Sequence, residues 1–222
     1  MEKKIIKKKL KELKLSNNYR IRKIKDSGNS HLFLYKNKEY LSFASNDYLS
    51  LANDKRIIKA AKIALDKHGY STSSSALISG YTASHHKLEE EISEFLGQEK
   101  TLLFSTGYQA NLGVIKALVS RDDNIIADQL NHASLIDGSV LSRANFKRYN
   151  HNDYKDLEKK ILKCKTKNNL IISDSLFSMD GDIANIKKLS IKARKHKSSL
   201  LIDEAHSLGV FGPEGRGLVY GS

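Results

Sequence analysis

Residues 101–104 (Thr-Leu-Leu-Phe), 124–127 (Asn-Ile-Ile-Ala), 146–149 (Phe-Lys-Arg-Tyr), 170–173 (Leu-Ile-Ile-Ser) and 199–202 (Ser-Leu-Leu-Ile) are five short, strand-like runs separated by stretches with apolar residues at helical spacing. Such alternation predicts an α/β chain with a mostly parallel sheet between helices, because parallel strands are covered on both faces and read as continuous apolar runs. In open sheets of this kind ligands bind beyond the carboxyl ends of the strands. Directly after the five runs stand Ser105-Thr106-Gly107-Tyr108, then Asp128 to His132, His151-Asn152-Asp153, Asp174 to Asp182, and Asp203-Glu204-Ala205-His206. Nearly every unusual polar cluster in this half of the chain is therefore expected along one edge of the sheet.

Working outward, Ile6, Leu10 and Leu13 recur among lysines at helical spacing and predict an amphipathic N-terminal helix. The runs His31 to Tyr35 and Glu39 to Phe43 flank a polar turn, Lys36-Asn37-Lys38, and predict a β-hairpin. Helices are expected over Lys55 to Lys67 and over His85 to Leu96, the second with Leu88, Ile92 and Phe95 on one face and Gly97 as its stop. Residues 1–45 read as an N-terminal arm of helix and hairpin, and residues 46–222 as a large domain.

The 222 residues hold no apolar run long enough to span a bilayer, and the lysine-rich start lacks the apolar core and cleavage site of a secretory signal. A cytoplasmic protein without membrane contact is the expectation. Cys164 is the single cysteine, which excludes an internal disulfide and a cysteine-based zinc cluster, and its apolar helical surroundings favour burial as a small hydrophobe. The formal charge of +13 raises nucleic-acid binding. The lysines are spread over the whole chain with no tract that interleaves arginine and aromatics, so no nucleic-acid partner is expected and the charge reads as a solvated surface. A positive surface could still help draw an anionic acyl carrier or thioester.

Among the edge clusters, the Ser-Thr-Gly-Tyr turn running into a helix with Asn111, Val114 and Leu118 would point unpaired amides at an anion, with Gly107 allowing close approach. Taken alone it reads more readily as an ordinary glycine turn, since a single glycine is a weak signal. Asp203 closes an apolar strand, where a carboxylate must emerge at the sheet edge or find a strong partner. Asp203-Glu204-Ala205-His206 also spells the metal-binding box of some helicases, but that chemistry requires an upstream G-x-x-x-x-G-K-[ST] loop, which the sequence does not contain. Neither Gly69 to Ser73 nor Gly138 to Leu141 supplies the G-x-S-x-G elbow of a serine hydrolase. Adjacent His85 and His86 cannot face one metal from a helix, and no metal site is expected.

Ser45-Asn46-Asp47-Tyr48-Leu49, Ser79-Gly80, His86 to Glu89, Ser105 to Asn111, His132-Ala133-Ser134, His151-Asn152-Asp153, Phe177 to Asp182 and Asp203 to Gly217 together resemble, in order and spacing, the α-oxoamine synthase family over almost the whole chain. The resemblance implies the fold type I of pyridoxal 5'-phosphate enzymes, homodimers with sites at the subunit interface. It implies a decarboxylating acyl transfer between an amino acid and a thioester. The segment Asp203 to Gly217 looks most like members that join L-alanine to a pimeloyl thioester, on coenzyme A or a carrier protein, to make 8-amino-7-oxononanoate in biotin synthesis. Members that make 5-aminolevulinate or 2-amino-3-ketobutyrate usually differ there.

By the same resemblance, Asp203 would pair with the pyridine nitrogen, His132 would stack on the cofactor ring, His206 and Ser178 would sit at its phenolic oxygen, and Gly107 and Tyr108 would hold its phosphate. Arg20 would contact a substrate carboxylate and Asn46 would line the substrate pocket. His132, Asp203 and His206 are the expected catalytic residues. Two departures stand out: Ser71 to Ser75 occupy a place where relatives carry glycines, and Ala76 replaces a frequent arginine. The family's cofactor-binding lysine falls after the Gly-Arg-Gly loop, beyond Ser222, so the expectation is the front part of a longer enzyme, without its C-terminal domain and inactive alone. A non-catalytic fragment of the same fold is the other reading.

Overall fold

A computed structural model describes residues 3–22, 24, 31–164 and 168–222. The chain divides into two compact units, Met1–Asp66 and Lys67–Ser222.

The first unit opens with α1 (Lys3–Leu15), whose Ile6, Leu10 and Leu13 share a face as their spacing predicts; α1 buries no residue. Strands β1 (Leu32–Tyr35) and β2 (Lys38–Leu41) pair antiparallel around Lys36 and Asn37, both at positive φ. A two-residue turn of that handedness matches the right-handed twist of the strands it joins. Asp47 then accepts from the amides of Leu51 and Ala52 at 2.8 and 3.2 Å, fixing the short turn before α2 (Lys55–His68).

In the second unit, α3 (Ala83–Leu96) starts two residues before the expected His85. Thr82 caps it and His85 closes the reciprocal box, while Gly97 ends it in the left-handed region. The expected strand at 101–104 is not formed. Leu103 gives its amide to the Glu89 side chain at 3.0 Å and Leu102 is 73% exposed, and among the described residues this run pairs with no other strand.

The other four expected strands form: β3 (Asn124–Asp128), β4 (Asn145–Tyr149), β5 (Asn169–Asp174) and β6 (Ser199–Asp203) make one parallel sheet in the order β4-β3-β5-β6. Helices α4 (Gly107–Leu118) and α5 (Ala133–Ser142) cover one face, and α6 (Tyr154–Leu162) and α7 (Ile186–Lys195) the other. Successive strand side chains point to opposite faces. Accordingly Ile125, Ala127, Leu170 and Ile172 pack with Ile115 and Leu135, whereas Ile126 and Ile171 pack with Leu157, Ile161 and Leu189. Cys164 packs half-buried at the edge of the second cluster, in keeping with a structural role.

Two glycines set close approaches. At Gly138 a Cβ would lie 2.9 Å from Ile115 Cδ1 and 3.3 Å from the Asn111 carbonyl, so glycine lets α5 touch α4. Gly217, at φ +88, lies against the Glu204 carboxylate, where a Cβ would come within 2.6 Å. Glu204 Oε1 accepts there from the amides of Leu218 and Val219, at 2.6 and 3.1 Å. The glycine-rich stretch thus folds back on the residue that follows Asp203. Among the described residues, no helix is long and apolar enough to cross a membrane.

Candidate functional site

The chain leaves β3 for β4 on one side and later returns to place β5 on the other, so the sheet order reverses between β3 and β5. Loops that diverge at such a point leave a crevice beyond the strand ends. A cavity of about 170 Å³ lies there, walled by Asn131, His132 and Ala133 after β3 and by Asp174, Phe177, Ser178, Met179 and Asp180 at and after β5. A larger trough of about 800 Å³, with Glu204, Arg216 and Tyr220 in its wall, holds none of the predicted site residues. The chemistry therefore points to the smaller cleft.

His132 is the N-cap of α5. Its Nδ1 accepts from the Ser134 amide at 3.2 Å and bonds the Ser134 hydroxyl at 2.7 Å, while the ring stays exposed at the cleft. Its backbone N–H donates to Asp174 Oδ2 at 2.8 Å. The Asp174 amide in turn donates to Asn131 Oδ1 at 3.1 Å, and Asn131 Nδ2 donates to the Ile172 carbonyl at 3.0 Å. The start of α5 is thereby pinned to the end of β5.

Asp203 ends β6 beside Asp174, its register partner. One carboxylate oxygen accepts from the Ala205 amide at 2.8 Å, and the other from Asn111 Nδ2 at 2.7 Å. Asn111 Nδ2 also reaches the Ser134 hydroxyl at 2.9 Å. An unbroken path of hydrogen bonds thus runs from Asp203 through Asn111 and Ser134 to His132, and the Gly138 contact between α4 and α5 is what makes it short enough.

Gly107 and Tyr108 open α4 behind the Thr106 cap, and a Cβ at Gly107 would meet open space. The Tyr108 hydroxyl donates to Asp137 on α5, a bond that raises its pKa. Ser178 is exposed at the cleft wall, and His206 is half-buried in the turn after β6. The cleft therefore joins His132 and Ser178, and the hydrogen-bond path adds Asp203. His206 follows β6 at this strand-end edge, and Gly107 and Tyr108 open the helix whose Asn111 reaches Asp203; all three lie outside the cavity wall. Arg20 and Asn46 belong to the first unit: Arg20 is exposed, and Asn46 Oδ1 accepts from the Tyr48 hydroxyl at 3.4 Å.

The sequence pattern of the family described as aminotransferase class I and II matches residues 38–219. The chain belongs to that family. An 8-amino-7-oxononanoate synthase of Methylococcus capsulatus is 44% identical over 208 residues, covering 94% of this chain and 54% of that protein. A solved serine palmitoyltransferase from S. paucimobilis, holding a PLP–myriocin aldimine, superposes with a TM-score of 0.87 at 31% identity, covering 97% of this chain and 56% of that one. An 8-amino-7-oxononanoate synthase structure from Francisella tularensis gives 0.69 at 32% identity, over 80% and 49%. The chain thus spans about half the length of the curated relatives it matches.

At this candidate site two residues have places that the sequence alone did not assign, Asn111 and Asp174. Their signal was present, a polar residue on an otherwise apolar helix face and an acid at a strand end, but their partners are distant in sequence. Burial pushes the Asp174 carboxyl up to about 7 against the lowering effect of the His132 amide, and the charges of Asp203 and Asp128 add to the rise. A raised carboxyl binds its proton more tightly in the folded chain. Its contribution to stability is fully present below the ordinary value of 3.8 and is lost as pH rises through about 7. Asp174→Asn is expected to flatten this part of the pH–stability curve and to equal or exceed the native chain in stability at pH 8. Urea midpoints at pH 4, 6 and 8 check it, and an unchanged slope would show that Asp174 ionises freely.

Proposed function

We propose that this chain forms the cofactor-binding part of an α-oxoamine synthase that uses pyridoxal 5'-phosphate to condense L-alanine with a pimeloyl thioester. The condensation releases carbon dioxide and yields 8-amino-7-oxononanoate. The observation that carries the reading is the Asp203–Asn111–Ser134–His132 path at the strand-end cleft, because it ties an acid at the end of β6 to an imidazole at the start of α5.

The residues present fit the cofactor. Each Asp203 oxygen accepts one bond from the protein and keeps acceptor capacity for a protonated pyridine nitrogen. The exposed ring of His132 offers a stacking face. The first amides of α4, at Gly107 and Tyr108, lack partners one turn back and lie where an anion gains from the helix dipole, with no Cβ in the way at Gly107. Ser178 and His206 are the donors assigned to the phenolic oxygen. When bound, pyridoxal phosphate supplies an electron sink for the carbanion that forms at the amino acid's α-carbon. Asn111 holds one oxygen of the Asp203 carboxylate, the Ser134 hydroxyl bonds His132 Nδ1, and Asp174 holds the His132 backbone. Arg20, with its planar fork, is assigned to the substrate carboxylate and Asn46 to the substrate pocket. A cytoplasmic homodimer is the assembly this reading implies.

A second reading, a family member acting on another amino acid, draws on the serine palmitoyltransferase superposition, which covers more of the chain than the 8-amino-7-oxononanoate synthase structure does. The 44% identity to the synthases favours the first. Calorimetric titration of the chain with pyridoxal phosphate is expected to give one saturable site. A chimera of residues 1–222 with the remaining half of the Methylococcus capsulatus relative should then condense L-alanine with pimeloyl-coenzyme A. Serine or glycine as the only accepted amino acid would move the assignment to the second reading, and absence of any cofactor site would overturn both.

A further inference from the structure

His151-Asn152-Asp153 follows β4 and has no part in the roles assigned above, yet its geometry ties it to the cleft. His151 Nδ1 lies 2.9 Å from Asp128 Oδ1, at the end of β3, and Nε2 lies 2.6 Å from Asp182 Oδ2. Carboxylate oxygens only accept, so holding both bonds requires hydrogen on both ring nitrogens. The ring also meets Phe177 edge-on with centroids 4.4 Å apart. Asn152 repeats the pattern: its amide donates to Asp128 Oδ2 at 3.0 Å and its Nδ2 to Asp182 Oδ2 at 2.7 Å.

Phe177 and Asp182 are the two feet of a small loop. The Phe177 amide donates to the Asp182 carbonyl at 3.0 Å, the Gly181 amide to the Phe177 carbonyl at 2.8 Å, and Leu176 bridges Ile183. Ser178, Met179 and Asp180, at the tip, wall the cleft opposite His132. Asp182 Oδ1 is buried without a hydrogen-bond partner among the described residues, so the Asp182 carboxylate bonds through Oδ2 alone.

We propose that His151 is a positioning residue: bonded through both ring nitrogens to Asp128 and Asp182, it latches the Phe177–Asp182 loop onto the end of β3 and so fixes where Ser178 stands at the cleft. The role of Ser178 toward the cofactor rests on the function proposed above; the latch itself does not.

Burial draws the imidazole toward neutrality, but its bonds to Asp128 and Asp182 and their charges outweigh that, so its pKa stands above the ordinary 6.5. The titratable groups around the latch are Asp128 from β3, Asp182 from the loop, Tyr149 from β4, Tyr154 from α6 and Asp174 from β5. The latch is therefore complete below pH 6.5 and loosens as pH rises through the elevated value.

Amide hydrogen exchange of the whole chain, corrected for intrinsic rates, tests this. At acidic pH, His151→Gln is expected to speed exchange at Phe177 and Gly181 by about tenfold or more, while Ile126 and Ile171 in the sheet centre stay within about twofold. In the native chain the loop amides should lose protection as pH rises. Asp182→Asn should move that midpoint downward, because His151 loses one of its two charged partners. Equal acceleration throughout the sheet would make His151 merely structural and overturn the proposal, as would unchanged loop exchange. Pyridoxal phosphate titration of the same variants separates the two claims. Without saturable binding in the native chain the cofactor reading falls, and the exchange data still decide the latch.

Discussion

Replacing Asp203 by alanine is expected to weaken pyridoxal phosphate binding by about 10- to 100-fold, the size of one hydrogen bond between charged partners. In the assembled enzyme the same change should lower condensation by about 100- to 1,000-fold, since an electrostatic partner at the developing charge is lost. Asparagine should recover little of either. It has the shape but lacks the charge, and its amide would set a donor against Ala205 N or Asn111 Nδ2, both of which already donate to Asp203. Fold stability should fall by only about 1 kcal/mol, because Asn111 keeps its bond to Ser134. Calorimetric affinities beside thermal melts separate the two effects. Native-like affinity in both variants would mean that another acid serves the cofactor, and Asp174 on the adjacent strand would be the first to test.

Asp128→Ala is expected to cost about 3–5 kcal/mol of folding stability, the range for removing one partner of a buried charge pair. The Asp128 side chain is fully buried and accepts from the amides of Leu130 and Asn152, at 2.9 and 3.0 Å, besides bonding His151. Without it those donors lose their buried acceptor, and the His151 cation keeps only Asp182. A loss of that size is a large share of the roughly 5–15 kcal/mol that holds a domain folded. Asp128→Asn should cost less, as one oxygen remains to accept.

The penalty should also depend on pH. His151 is raised in the native chain, so its contribution is fully present below the ordinary 6.5 and lost as pH rises through its folded value. The gap between native and Asp128→Ala chains should therefore narrow in alkaline solution. Urea unfolding at pH 6 and pH 9 measures it. A gap that is constant or widens would show that His151 is not charged in the folded chain.

Much of the fold is legible in the sequence because its causes are local. The two central strands, β3 and β5, are buried and read as apolar runs, Gly97 and the Lys36-Asn37 turn mark ends that backbone sterics impose, and the strand-end rule alone places Asp203, His132 and Ser178 on one edge. The run at 101–104 misleads for the same reason: three apolar residues in a row after Thr101 state a willingness to be buried, not the presence of a neighbouring strand. Leu103 finds the Glu89 side chain instead.

Apart from residues 105–108, whose expected strand is not formed, the sequence by itself determined which residues lie at the carboxyl ends of the strands, since strand length and side-chain period are properties of a few consecutive residues. Which of those ends meet was decided only by the tertiary structure. The order β4-β3-β5-β6 opens the cleft between the loops after β3 and β5, and it follows from how whole helices pack on the two faces. Asn111 meets Asp203 across 92 positions, His132 meets Asp174 across 42, and His151 meets Asp182 across 31. A hydrogen bond acts over about 3 Å and leaves no periodic trace in the chain. Partners this far apart in sequence become visible only once the sheet has set them side by side.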